Sequence, residues 1–106
     1  MSICLVLSTF PDAETAQRIA SALVEEGLAA CVNIIPGAQS IYRWEGKIES
    51  AGEVLALAKT TLSGYARLEE RLKELHPYSV PEIVALPVER AQAAYAQWVA
   101  QMVKSD

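Results

Sequence analysis

One histidine, two cysteines and one phenylalanine are all that the chain holds of those residue types. A lone imidazole cannot build a histidine-rich metal centre, and His76 has no serine or cysteine in a sequence context that would make it a catalytic base. Cys4 and Cys31 sit inside apolar runs, lack CxxC spacing and are too few for a disulfide framework. They are expected as two buried thiols in a reducing cytoplasm, rather than as a disulfide or a metal thiolate. No apolar run approaches the roughly 18 residues that suggest a membrane span. Nor does any block of lysine and arginine form the basic face that a phosphate backbone requires, so neither membrane nor nucleic acid is an expected partner. A glycine-rich phosphate loop, GxSxG and HExxH are missing as well, which argues against an enzyme. The opening MSICLVLSTF is apolar, but it has no basic n-region and runs into Pro11-Asp12 without a small-residue cleavage site. It reads as a first strand, not as a signal peptide.

What remains is the composition of one compact, soluble domain. The 106 residues are 52% hydrophobic and 21% charged, with 13 acidic against 9 basic side chains and a net charge of −4. A chain of this size buries roughly 65% of the surface its unfolded form exposes.

Ile3 to Phe10 forms the first strand. Asp12 can then accept from the free N–H groups of a helix starting near Ala13, whose Ala16, Ile19, Ala20, Leu23 and Val24 share one face. Gly27 supplies the left-handed stop. From Ala30 the chain turns β-rich, bends or bulges at Pro36-Gly37, turns at Glu45-Gly46-Lys47 and returns as a strand from Ile48 to Thr60. Each arm of this hairpin, at about a dozen residues, exceeds the usual strand of about 5–6. A second helix spans Ser63 to His76 and is stopped by Pro77; a short strand runs from Pro81 to Val88; a third helix covers Ala91 to Met102.

The order β-α-β-β-α-β-α predicts an α+β, ferredoxin-like βαββαβ sandwich with a long hairpin and an extra C-terminal helix. Two helices cover only one face of such a sheet. Yet ICLVL, EVLALA and EIVAL are apolar on both faces, so something must cover the second. The C-terminal helix can take part of it, and neighbouring copies of the chain are expected to take the rest.

The stretch ACVNIIPGAQSIYRWEGKI, with Glu53, Lys59-Thr60, HPYSVPEI, Tyr95 and Trp98, closely resembles the CutA family of divalent-cation tolerance proteins over nearly the whole chain. The resemblance implies a tight homotrimer of the PII-like kind, a cytoplasmic location, and a link to copper and other divalent metals, with no established catalysis. Where the family commonly has an acidic residue after HPY, this chain has Ser79. Where members proposed to bind copper can have a cysteine near the end of the first strand, it has Ser8. The glycine often found before the last helix is missing from VERAQAAY.

Two residues offer metal-ligand chemistry: the imidazole of His76 and the carboxylate of Glu82, in a loop stiffened by prolines. The competing reading makes His76 an ordinary helix end ahead of proline, and one imidazole with one carboxylate is an incomplete set for tight binding. No tightly bound cofactor is expected. Glu45, Glu49 and Glu53 read as a solvated strand face, the alternative being a surface cation site. Tyr42 and Trp44 read as packing anchors between subunits. Lys59 is expected either to pair with Glu82 or to meet an anionic ligand. In the latter case Trp44, Lys59, Tyr78 and Glu82 would line an intersubunit cleft for a small anionic metabolite. A structural trimer that anchors a partner protein is the third reading.

Overall fold

The structure is a computed structural model that describes residues 2–104. Its elements follow the expected order: β1 (Ile3–Phe10), α1 (Ala13–Glu25), β2 (Cys31–Trp44), β3 (Lys47–Thr61), α2 (Tyr65–Leu75), β4 (Ile83–Pro87) and α3 (Ala93–Met102). The strands lie in the order β2-β3-β1-β4, with β1 antiparallel to both β3 and β4, and β2 antiparallel to β3. This is the ferredoxin-like arrangement.

Local chemistry sets the element ends. Asp12 accepts a 2.8 Å bond from the Thr15 N–H and opens α1. Gly27, at φ 71°, closes it: Leu28 N–H reaches Leu23 O at 2.9 Å and Gly27 N–H reaches Val24 O at 3.1 Å, the paired bonds of a Schellman stop. Glu45 and Gly46 take φ of 49° and 79°, the two left-handed residues of a tight hairpin turn. The second helix is shorter than the sequence predicts. Gly64 N–H is held by Thr61 through both its carbonyl and its hydroxyl, which keeps Ser63-Gly64 in a turn. At the other end Pro77 forces His76 into an extended conformation with ψ 136°.

Alternate residues of the sheet face α1 and α2. Cys4, Val6 and Phe10 of β1 and Val54, Ala56 and Ala58 of β3 pack with Ile19, Leu23, Leu68 and Leu72 to form the main core. On the opposite face α3 covers one end, where Ile3 and Ala30 meet Val99 and Val103. Among the described residues nothing forms a layer over the rest of that face, from Leu5 and Leu7 across to Leu55 and Leu57, and Val84 and Leu86 of β4 are 47% and 54% exposed.

One irregularity decides what the far end of this open face carries. Ile35 pairs with Leu55 but Ala38 pairs with Glu53, so β2 holds one more residue than β3 across the step, with Gly37 at φ 87°. Because strand side chains alternate, one extra residue inverts the phase. Before the bulge Cys31, Asn33 and Ile35 share the open face; after it Ser40, Tyr42 and Trp44 do.

Candidate functional site

The inverted arm of the hairpin forms one wall of a cleft of about 730 Å³, and the segment leading into β4 forms the other. Tyr42 and Trp44 come from β2, Glu53 from β3, Thr9 from the end of β1, and Tyr78 and Glu82 from the loop after α2. Tyr78 donates a 2.7 Å hydrogen bond to Glu53 and so ties the loop to the sheet. Burial, followed by that carboxylate, pushes the Tyr78 phenol up to about 12. It therefore stays a neutral donor across the physiological range.

His76 lies behind this wall, buried, with its ring stacked on Phe10 at 4.7 Å. Its Nε2 is 2.8 Å from the Thr9 carbonyl, and Tyr78 N–H points to its Nδ1 at 3.1 Å. A carbonyl can only accept and a backbone N–H can only donate. The ring is therefore the neutral tautomer with hydrogen on Nε2, and both nitrogens are used within the chain. Burial lowers its pKa below the usual imidazole value, against the opposing effects of the Thr9 bond and the Glu53 charge. The expectation of a His76–Glu82 ligand pair thus needs correcting for this conformation: His76 has no lone pair to offer a metal. It instead fixes the backbone of Tyr78, and Tyr78 in turn holds Glu53.

The proposed cleft residues separate. Trp44, Tyr78 and Glu82 come together, but Lys59 does not join them. It lies six residues along β3 from Glu53, a distance of about 20 Å at strand rise, where its Nζ contacts Asn33 Oδ1 and lies 3.5 Å from Cys31 Sγ. The expected Lys59–Glu82 pair is therefore not made within one chain. Tyr95 OH reaches the same Cys31 sulfur at 3.5 Å. Both cysteines are free; Cys4 is fully buried, and desolvation raises its pKa, whereas Cys31 is only half-buried, so the expectation of two buried thiols holds for Cys4 alone. Glu45 sits in the hairpin turn and Glu49 pairs across to Tyr42, so neither lines the cleft with Glu53. No group of three or more His, Cys, Asp or Glu side chains able to hold a metal ion occurs among the described residues. Glu53, read from the sequence as part of a solvated strand face or surface cation site, and Tyr42, read as a packing anchor between subunits, both line this cleft. The signal for them was Pro36-Gly37, since one added residue there brings Tyr42 and Trp44 to the face that carries Glu53.

Comparison with known proteins agrees with the fold and with the motif blocks. The family described as "CutA1 divalent ion tolerance protein" matches residues 4–102. The chain is 55% identical over 95 residues to the divalent-cation tolerance protein CutA of Thermus thermophilus, covering 90% of this chain and 92% of that one. It superposes on the crystal structure of CutA1 from Oryza sativa with a TM-score of 0.97 at 38% identity, covering 100% and 97% of the two chains. A structure titled as the periplasmic divalent cation tolerance protein CutA from Archaeoglobus fulgidus gives a TM-score of 0.93 at 39% identity, covering 96% and 99%. Sequence, topology and coverage converge: the chain belongs to the CutA1 family of divalent ion tolerance proteins.

Proposed function

We propose that the chain works without catalysis, as a homotrimer that serves divalent-cation tolerance by binding cations in the cleft between the hairpin and the β4 loop. The observation that carries this is the make-up of the cleft wall. Its ionisable side chains are the carboxyls of Glu53 and Glu82 and the phenols of Tyr42 and Tyr78, and among the described residues no lysine or arginine lines it. A divalent ion, copper among them, would meet two carboxylates and fill its remaining positions with water. That donor set gives modest affinity and little selectivity. An anionic metabolite finds no positive group here unless a neighbouring copy brings one.

Trimerisation rests on the open sheet face. Leu5, Leu7, Leu55, Leu57, Val84 and Leu86 make an apolar surface that a second copy would shield, and the cleft opens at the end of that surface. A cytoplasmic location fits the two free thiols. No helix among the described residues is long and apolar enough to cross a membrane.

Native mass spectrometry with a series of divalent ions tests the proposal, because it reports subunit count and bound ions together. Three ions per trimer, lost in the Glu53→Gln/Glu82→Gln double variant, is the expected result. A stable monomer at micromolar concentration would remove the trimer, and ion binding indifferent to both glutamates would remove the cleft.

A further inference from the structure

The cleft is built for more than a bare ion. At about 730 Å³ it falls in the range of small-molecule pockets, roughly 300–1,000 Å³. What a metal ion would use there is chiefly the two carboxylates, whereas the ring faces of Tyr42, Trp44 and Tyr78 add little for a hydrated divalent ion. A quaternary or alkylated ammonium uses both kinds of group. Its charge is attracted to ring faces, to tryptophan most strongly, and its alkyl groups gain from leaving water.

All three rings line the same cleft. Tyr42 and Trp44 stand two residues apart and so share one side of β2, which the bulge turns to the face of Glu53, and in one chain they are 45% and 60% exposed. Tyr78 faces them from the loop, its backbone fixed by His76 and its hydroxyl by Glu53. Glu82 adds a second negative group just ahead of β4. An apolar neutral ligand would leave these two carboxylates facing it without compensation. An anion would be repelled by them.

We propose that the preferred occupant of this cleft is a small organic ammonium ion, with divalent metal as the weaker competitor for the same carboxylates. This rests on reading the cleft as a cation site, and the test separates the two.

Calorimetric titration of the assembled 106-residue chain with choline, with its uncharged isostere 3,3-dimethylbutan-1-ol and with copper(II) supplies the measurement. Choline should bind, and the isostere should bind at least about tenfold more weakly. Trp44→Leu should weaken choline about 3- to 30-fold, and by a larger factor than it weakens copper. Glu82→Gln should weaken both. Equal binding of choline and the alcohol overturns the ammonium assignment, as does an equal loss of choline and copper binding in Trp44→Leu. Copper binding that depends on Glu82, with no heat from choline, also overturns it but leaves the metal reading standing. Silence toward both cations overturns both readings. The comparison of choline with the alcohol uses the unaltered protein, so it holds even if the Trp44 variant fails to assemble.

Discussion

Along β1, Cys4, Val6 and Phe10 are sealed beneath α1 and α2, while Leu5 and Leu7, one position over, point to the side where Val84 and Leu86 lie about half exposed. The two faces are made of the same kinds of residue and differ only in what lies over them. Strands that are apolar on both sides belong in sheets covered on both sides. The helices of one chain supply one cover and a fraction of the second. The difference teaches that the helix-covered face completes the core of one chain, whereas the open face, where the cleft proposed to bind cations lies, is left for something outside the chain to cover.

Leucine truncation on the sealed side should have the largest effect. Leu68 is fully buried in α2 against the core, so Leu68→Ala should cost about 2–5 kcal/mol, through lost burial and the cavity left behind. Denaturant unfolding of both proteins at one fixed protein concentration would measure it, so that any contribution from association is held constant. A loss under about 1 kcal/mol would show that this core is not what holds the fold.

Charge on the open side should act differently. Leu86→Lys places an ammonium on a surface that copies are proposed to share, where it would be buried unpaired. Sedimentation should show dissociation to a monomer whose far-ultraviolet circular dichroism is unchanged. An intact oligomer would exclude β4 from the interface, and unfolding would show that this face is needed for the monomer's own stability.

His76 joins the sealed side to the cleft, and acid should reveal it. Its folded pKa lies below the unfolded value because burial disfavours the charged ring. In that situation the unfolded chain binds more protons, and stability rises with pH across the interval. The contribution is therefore complete above the unfolded value of about 6.5 and is lost as pH falls through the folded pKa. Protonation would also set an Nδ1–H against the Tyr78 N–H, two donors facing each other. Unfolding measured between about pH 7.5 and about pH 5 should show this loss, and His76→Gln should have a smaller one. An equal acid response in both proteins would assign the effect to other groups.

Much of the fold was legible because its signals were local. Asp12, Gly27, Pro77 and the alternation in ICLVL each act within a few residues of their own position. The need for a second cover was also readable, as strands too apolar for one layer of helices. The cleft was less legible because it depends on register. Pro36-Gly37 announces an irregularity, but only the pairing of Ile35 with Leu55 and of Ala38 with Glu53 shows that one residue was added and that Trp44 faces Glu53's side. His76 was misleading for a related reason. Its residue type suggests a ligand, and the partners that use up its nitrogens include a carbonyl 67 residues away in sequence.

The smallest expected effect is a gain, on the sealed face. Ser8 is buried on β1, and its hydroxyl has no hydrogen-bond partner among the described residues. It borders a void of about 10 Å³ whose other walls include Val6, Phe10, Ile19, Leu23 and Leu72. That space barely admits one water, and a water there would find a single polar neighbour where it needs two or more. The hydroxyl therefore gives up its hydration on folding and gains nothing for it. Ser8→Ala removes the orphaned group and enlarges the void only slightly, so it should stabilise the protein by about 1 kcal/mol. Ser8→Cys should gain as well, since a thiol loses less on burial and fills more of the space. Thermal unfolding of both variants beside the parent would decide: a lower midpoint in each would mean that the hydroxyl is satisfied in solution, and that the sealed face is less dry than its packing indicates.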